Sequence, residues 1–141
     1  MSDKFFLDTN VFVYSVTEDD PAKAQVATEL IRKALETQKG VVSYQVVQEF
    51  FNLATRKFEK RLPVDVRDSY LNLVFRPMLR VHSSLALYTA ALAMQGKHQL
   101  QWYDALIVCA AEQAGCGILY SEDLQHGQRF GSLQIVNPFL Y

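Results

Sequence analysis

Cysteine and histidine are scarce, with two of the first and three of the second in 141 residues. Cys109 and Cys116 fall within or just beyond one predicted helix and lack a second Cys or His pair at zinc-site spacing. Buried free thiols are therefore expected, not a disulfide or a zinc centre. His82, His98 and His126 show no paired spacing either and are expected as surface or loop residues. An excess of basic charge is also missing: 14 Lys and Arg stand against 15 Asp and Glu, for a net charge of −1. This removes the simplest argument for a nucleic-acid binder, a strongly basic surface, without excluding one. Acids gathered at one site can cancel bases spread elsewhere. Finally, charged or strongly polar residues interrupt every window long enough to span a bilayer, and the opening Met-Ser-Asp-Lys does not read as a signal peptide. A soluble, cytoplasmic protein with no membrane contact is the default expectation.

Half of the residues are hydrophobic, enough for a core between a sheet and two helical layers. Lys4 to Asn10 runs apolar through Phe5, Phe6 and Leu7 and then stops at Asp8, Thr9 and Asn10. So short an apolar run suits a strand buried on both faces, though length alone leaves a helix open. Asp20-Pro21 reads as the N-cap and first residue of a helix with Ala27, Leu30, Ile31, Ala34 and Leu35 on one face, ended by Gly40. Val41 to Ser43 forms a second strand. The next helix carries Val46, Val47, Phe50, Phe51 and Ala54 on a broad apolar side, with Glu49 among them. After the basic exit 56–61, Pro63 opens a further helix and Pro77 breaks it. Met78 to Val81 is a third strand. Ser83 or Ser84 caps a helix that Gly96 terminates, and Ala105 to Ala114 is the most hydrophobic helix, with Asp104 in its first turn and Gly115 at its end. Gly117 to Tyr120 and Leu133 to Val136 supply two last strands. Strands alternate with helices and no repeat or linker intervenes, so a single three-layer α/β domain over residues 1–141 is expected.

The acids suggest chemistry. Asp8 and Asp123 end predicted strands, Asp104 begins a helix and Glu49 lies on the apolar side of another. Each has a plain structural reading, such as Asp104 complementing a helix dipole. If the first and fourth strands are neighbours across a reversal of chain direction, their carboxyl ends open on one crevice, where ligands of α/β sheets bind. Two unit charges about 4 Å apart repel by roughly 4 kcal/mol at an effective dielectric of about 20. Four converging carboxylates therefore require protons or cations. All-oxygen donors suit Mg²⁺ or Mn²⁺ better than zinc.

Phe6-Leu7-Asp8-Thr9-Asn10, Gln48-Glu49, Trp102 to Ile107 and Tyr120-Ser121-Glu122-Asp123-Leu124, in this order and spacing over essentially the whole chain, resemble a PIN domain of the VapC-type toxins. The resemblance implies a central parallel sheet in the order 3-2-1-4-5 and a Mg²⁺- or Mn²⁺-dependent ribonuclease. It implies Asp8, Glu49, Asp104 and Asp123 as the acidic site, with Asp8, Asp104 and Asp123 as metal ligands and Asn10 and Ser121 as supporting polar groups. Glu122 is expected as a solvent-facing loop residue, since the family's Ser/Thr-x-Asp spacing points to Asp123. A cognate antitoxin and a homodimer are the implied partners, with RNA as substrate. Tyr14, Tyr44 and Tyr103 are the candidates for base stacking, and Arg56 and Lys57 for phosphate contact, against the blander readings of core aromatics and a solvated helix end. Two other functions compete. Phosphotransfer through an aspartyl-phosphate usually pairs its nucleophile with a second Asp two positions later, where this chain has Asn10. A catalytically silent RNA- or protein-binding module would not need all four acids.

Overall fold

A computed structural model describes residues 2–56 and 62–140. Its spine is a sheet in the order β3-β2-β1-β4-β6-β5, built from β1 (Phe5–Leu7), β2 (Gly40–Ser43), β3 (Leu79–Val81), β4 (Ile118–Tyr120), β5 (Arg129–Phe130) and β6 (Leu133–Val136). The first five in that order pair in parallel, as the sequence predicts, whereas β5 adds an antiparallel edge not foreseen there. Two residues carry no readable periodicity, and β5 exists only through its hairpin pairing with β6.

The helices are α1 (Thr9–Val16), α2 (Pro21–Thr37), α3 (Tyr44–Arg56), α4 (Val64–Tyr70), α5 (Arg76–Met78), α6 (Leu85–His98) and α7 (Trp102–Gln113). None is long and apolar enough among the described residues to cross a membrane. No sequence expectation covered α1. Thr9, Val11, Val13 and Val16 are β-branched and poor helix formers. Burial of Val11 and Phe12, with Asp8 as the N-cap, outweighs that propensity.

Three other boundaries differ from expectation. Gly40 does not end α2: Gln38 takes the left-handed position at φ 60°, and Gly40 opens β2. Glycine is needed there because a Cβ would lie 2.2 Å from that of Ala34, so the close approach of α2 to β2 depends on it. Gly96 likewise lies inside α6, which ends at Gln99 with φ 50°. Pro77 does not break its helix. It sits in α5 after a π-helical stretch, Leu71–Phe75, whose next residue, Arg76, donates its N–H back to the Leu71 carbonyl. A proline ring collides with the carbonyl four residues back in a regular α-helix, and the wider π turn gives it room.

Phe6, Leu7, Val41, Val42, Leu119 and Ile135 are wholly buried, so the short central strands are covered on both faces. Cys109 and Cys116 are buried free thiols, each pushed up to about 11 by burial. Beside the sheet, Phe50 stacks on Tyr70 with centroids 4.6 Å apart, and Phe75 packs against Phe12 at 4.9 Å and Phe50 at 5.3 Å. This cluster ties α1 and α3 to the helix that precedes β3. Phe75→Ala is expected to lower the unfolding free energy by about 3–5 kcal/mol, measured by urea denaturation.

Candidate metal centre

The sheet order places the reversal of chain direction between β1 and β4, which pair from Phe5 with Ile118 to Leu7 with Tyr120. One residue further, Asp8 and Ser121 stand side by side at the carboxyl edge. Asp8 is buried. Its Oδ1 accepts the Thr9 N–H at 2.7 Å, and its Oδ2 accepts the Ser121 hydroxyl at 2.8 Å. The same Ser121 Oγ accepts the N–H groups of Asp123 at 3.2 Å and Leu124 at 3.4 Å, which turns the chain after β4. Asn10, in the first turn of α1, donates its amide to both Asp123 oxygens at 3.2 Å.

Glu49 reaches the same region from α3. Thr9 Oγ1 donates to its Oε2 at 3.0 Å and Gln45 Nε2 to its Oε1 at 2.7 Å. Gln45 Nε2 also lies 3.3 Å from the Tyr103 carbonyl, one residue before Asp104. Sequence reasoning singled out neither Thr9 nor Gln45. The available signals were the adjacency of Thr9 to Asp8 and the four-residue spacing of Gln45 and Glu49, which puts them on one helix face.

Electrostatics link the acids pairwise. Burial lifts the Asp8 carboxyl to about 6, against the Thr9 and Ser121 hydrogen bonds, with repulsion from Glu49 and Asp123 adding to the rise. Asp104 is raised by burial first, then by Asp123 and Glu49. Asp8 and Asp104 are thus each repelled by the same two acids, Glu49 and Asp123, from separate stretches of chain. Among the described residues, none of the four is in an ion pair.

The donor chemistry fits a hard divalent cation: carboxylate oxygens with a hydroxyl and an amide beside them, and neither thiolate nor imidazole. Among the described residues, no three His, Cys, Asp or Glu side chains already form a chelating group. Carboxylates without a counter-ion repel one another, and a cation would offset that repulsion.

Glu122 departs from expectation. Instead of facing solvent, it accepts the Tyr14 hydroxyl and the Lys23 ammonium, each at 2.6 Å. Burial pushes its carboxyl up, but these two donors outweigh it and hold the group below its usual range. Lys23 also lies 4.8 Å from the Tyr14 ring centroid, and Tyr14 meets Phe139 edge-on. Tyr14 is therefore engaged from several sides beside the acids. Tyr103 is different, 66% exposed next to Asp104. Tyr44 is half-buried, its phenol pushed up to about 12 by burial and by the Tyr88 and Tyr103 phenols. Arg56 is exposed at the end of α3, and Lys57 lies outside the described residues. His82 is exposed, His98 packs edge-on against Phe130, and His126 accepts the Asn137 N–H at 3.0 Å, so none joins the acids.

The sequence model of the PIN domain matches residues 5–129. The chain belongs to the PIN domain family. Among solved structures, this PIN domain is similar to a toxin-antitoxin complex from Klebsiella pneumoniae, at 15% identity over 98% of each chain with a TM-score of 0.65. It is also similar to FitAcB from Neisseria gonorrhoeae, at 17% identity over 95% of this chain and 97% of that one, with a TM-score of 0.64. A third likeness is to VapC20 of Mycobacterium tuberculosis, a sarcin-ricin loop cleaving toxin, at 20% identity over 85% of this chain and 90% of that one, with a TM-score of 0.59. These likenesses are of fold. A search of curated proteins gives no match.

Proposed function

We propose that this PIN domain is a Mg²⁺- or Mn²⁺-dependent endoribonuclease, the toxin of a toxin-antitoxin pair acting in the cytoplasm. The observation that supports the reading is the hydrogen-bonded linkage of Asp8, Glu49 and Asp123 through Thr9, Asn10 and Ser121 at the carboxyl edge of β1 and β4, with none of these acids in an ion pair among the described residues. Asp8, Asp104 and Asp123 would hold the ion, with Asn10 and Ser121 orienting Asp123 and Asp8. The ion would supply Lewis-acid charge and lower the pKa of water at the site. Glu49, the remaining carboxylate, is assigned as the base that takes the proton from the attacking water. Attack in line on phosphorus breaks the bond to the 3′-oxygen, so the products carry a 5′-phosphate and a 3′-hydroxyl. Tyr103, exposed beside Asp104, is assigned to stack on a base flanking the scissile phosphate, since unpaired RNA is commonly read on aromatic faces. Tyr44, Tyr14, Arg56 and Lys57 are secondary candidates for contact.

The partners follow from the same reading: an antitoxin that covers the acidic site and a second copy of this chain. Support for the antitoxin comes from the solved toxin-antitoxin complex of the same fold. The test is cleavage of an RNA pool by purified protein in Mn²⁺ and in excess EDTA. EDTA is expected to abolish cleavage, and Asp104→Asn to reduce it at least about a hundredfold, the scale on which even outer supports of a metal site act. Mn²⁺ uptake without cleavage of any RNA would instead identify a silent binding module. In cells, wild-type expression is expected to arrest growth and Asp104→Asn is not.

A further inference from the structure

Gln45 is 5% exposed and is not an acid, yet it joins α3 to α7 directly and, through Glu49, to Thr9 of α1. Its amide nitrogen carries two hydrogens. One is given to Glu49 Oε1 at 2.7 Å and the other is directed at the Tyr103 carbonyl at 3.3 Å. The second Glu49 oxygen takes the Thr9 hydroxyl at 3.0 Å. A chain of polar contacts thus runs from Thr9, next to Asp8, through Glu49 to the first turn of α7, where Asp104 lies. Rotating the amide would turn its oxygen onto a carboxylate and a carbonyl, so the donors have one acceptable orientation. In that orientation Gln45 Oε1 is buried with no hydrogen-bond partner among the described residues. A buried acceptor left unpaired costs stability, and an apolar side chain of similar size would avoid that cost. Its two donated bonds offset that cost, and both are directed at the site, one to a site carboxylate and one to the turn that carries Asp104.

We propose that Gln45 is a positioning residue, which fixes the Glu49 carboxylate and the start of α7 relative to one another so that the Glu49 base faces the water at the ion that Asp104 helps to hold. This rests on the ribonuclease reading above. Gln45→Met keeps the volume and removes both donors. Thr9→Val removes the opposite brace of Glu49, and Thr9→Ser keeps it.

The experiment measures three quantities for each purified variant: the urea midpoint, the Mn²⁺ dissociation constant by calorimetry, and kcat and KM on an RNA cut by the wild type. Gln45→Met is expected to leave the urea midpoint near that of the wild type, because loss of the bonds to Glu49 and Tyr103 is offset by removal of the unpaired oxygen. It should bind Mn²⁺ about 10–100-fold more weakly and lose kcat by a similar factor, as supports of metal sites do. KM should stay within about twofold, because the brace does not touch the bases. Thr9→Val should lose kcat in the same direction, and Thr9→Ser should restore it. Wild-type Mn²⁺ affinity and kcat in Gln45→Met would overturn the assignment, as would a fall in its urea midpoint that matched the loss of activity. Were Gln45→Met unable to fold, full activity in Thr9→Val would overturn it too. A wild type that neither binds Mn²⁺ nor cuts RNA would sink the ribonuclease reading itself, which is a separate result.

Discussion

In metal-free protein at pH 8, Asp8→Asn is expected to raise the unfolding free energy by about 2 kcal/mol, and with Mn²⁺ restored the same variant is expected not to cleave RNA. The sign follows from where Asp8 gives up its proton. In the unfolded chain it does so near 3.8, and in the folded chain burial delays this to about 6. The folded state therefore binds more protons between these values, and stability falls as pH rises through them. Below about pH 4 the carboxyl is neutral in both states and no penalty exists. Above about pH 6 the penalty is complete, at about 3 kcal/mol. Asparagine cannot ionise and escapes it, but weakens the charge-assisted contacts with Thr9 and Ser121 by about 1 kcal/mol. Urea denaturation in EDTA from pH 4 to 8 checks this. The advantage of Asp8→Asn should grow over that range and vanish or reverse at its acid end. A constant difference would mean that Asp8 ionises freely in the folded protein.

The second large effect is the reverse. Mn²⁺ at about a thousand times its dissociation constant is expected to stabilise the wild type by about 4 kcal/mol at pH 8. At pH 5, the same Mn²⁺ concentration must displace the Asp8 proton, which weakens binding about tenfold and leaves about 2.7 kcal/mol. Thermal unfolding with and without Mn²⁺ at the two pH values measures this directly. Equal stabilisation at both would place the ion away from Asp8. In Asp8→Asn the stabilisation at pH 8 should be largely gone.

What the sequence made legible depended on how much of the reason for a feature lies within a short stretch. The strands from Phe5, Val41 and Leu133 and the helix through Ala105 to Ala114 are contiguous apolar segments with polar ends, and they form close to where expected. The pairing of the first strand with the fourth, which the family resemblance implied, also forms, and it sets Asp8 beside Ser121. The helix Thr9–Val16 was illegible because its residues favour strand and its reason is packing against distant helices. Gln38 and Gln99 take left-handed helix ends where nearby glycines were the better local candidates. Gln45 offers only its four-residue spacing to Glu49 as a local sign, and its contact with Tyr103 across the site has none. Glu122 reads as solvent-exposed until Lys23 and Tyr14 are brought to it from residues about a hundred positions earlier.

The contacts at the head of β1 also bear on when the protein can act during its own synthesis. Asp8 is bonded to Ser121 and Asn10 to Asp123, each pair 113 residues apart. Neither pair can close until the chain has emerged past residue 123, and β4 must first dock beside β1. A ribosome thus releases β4 before these contacts exist, and a product truncated ahead of β4 lacks them. Whatever chemistry the acids support is delayed by the topology itself.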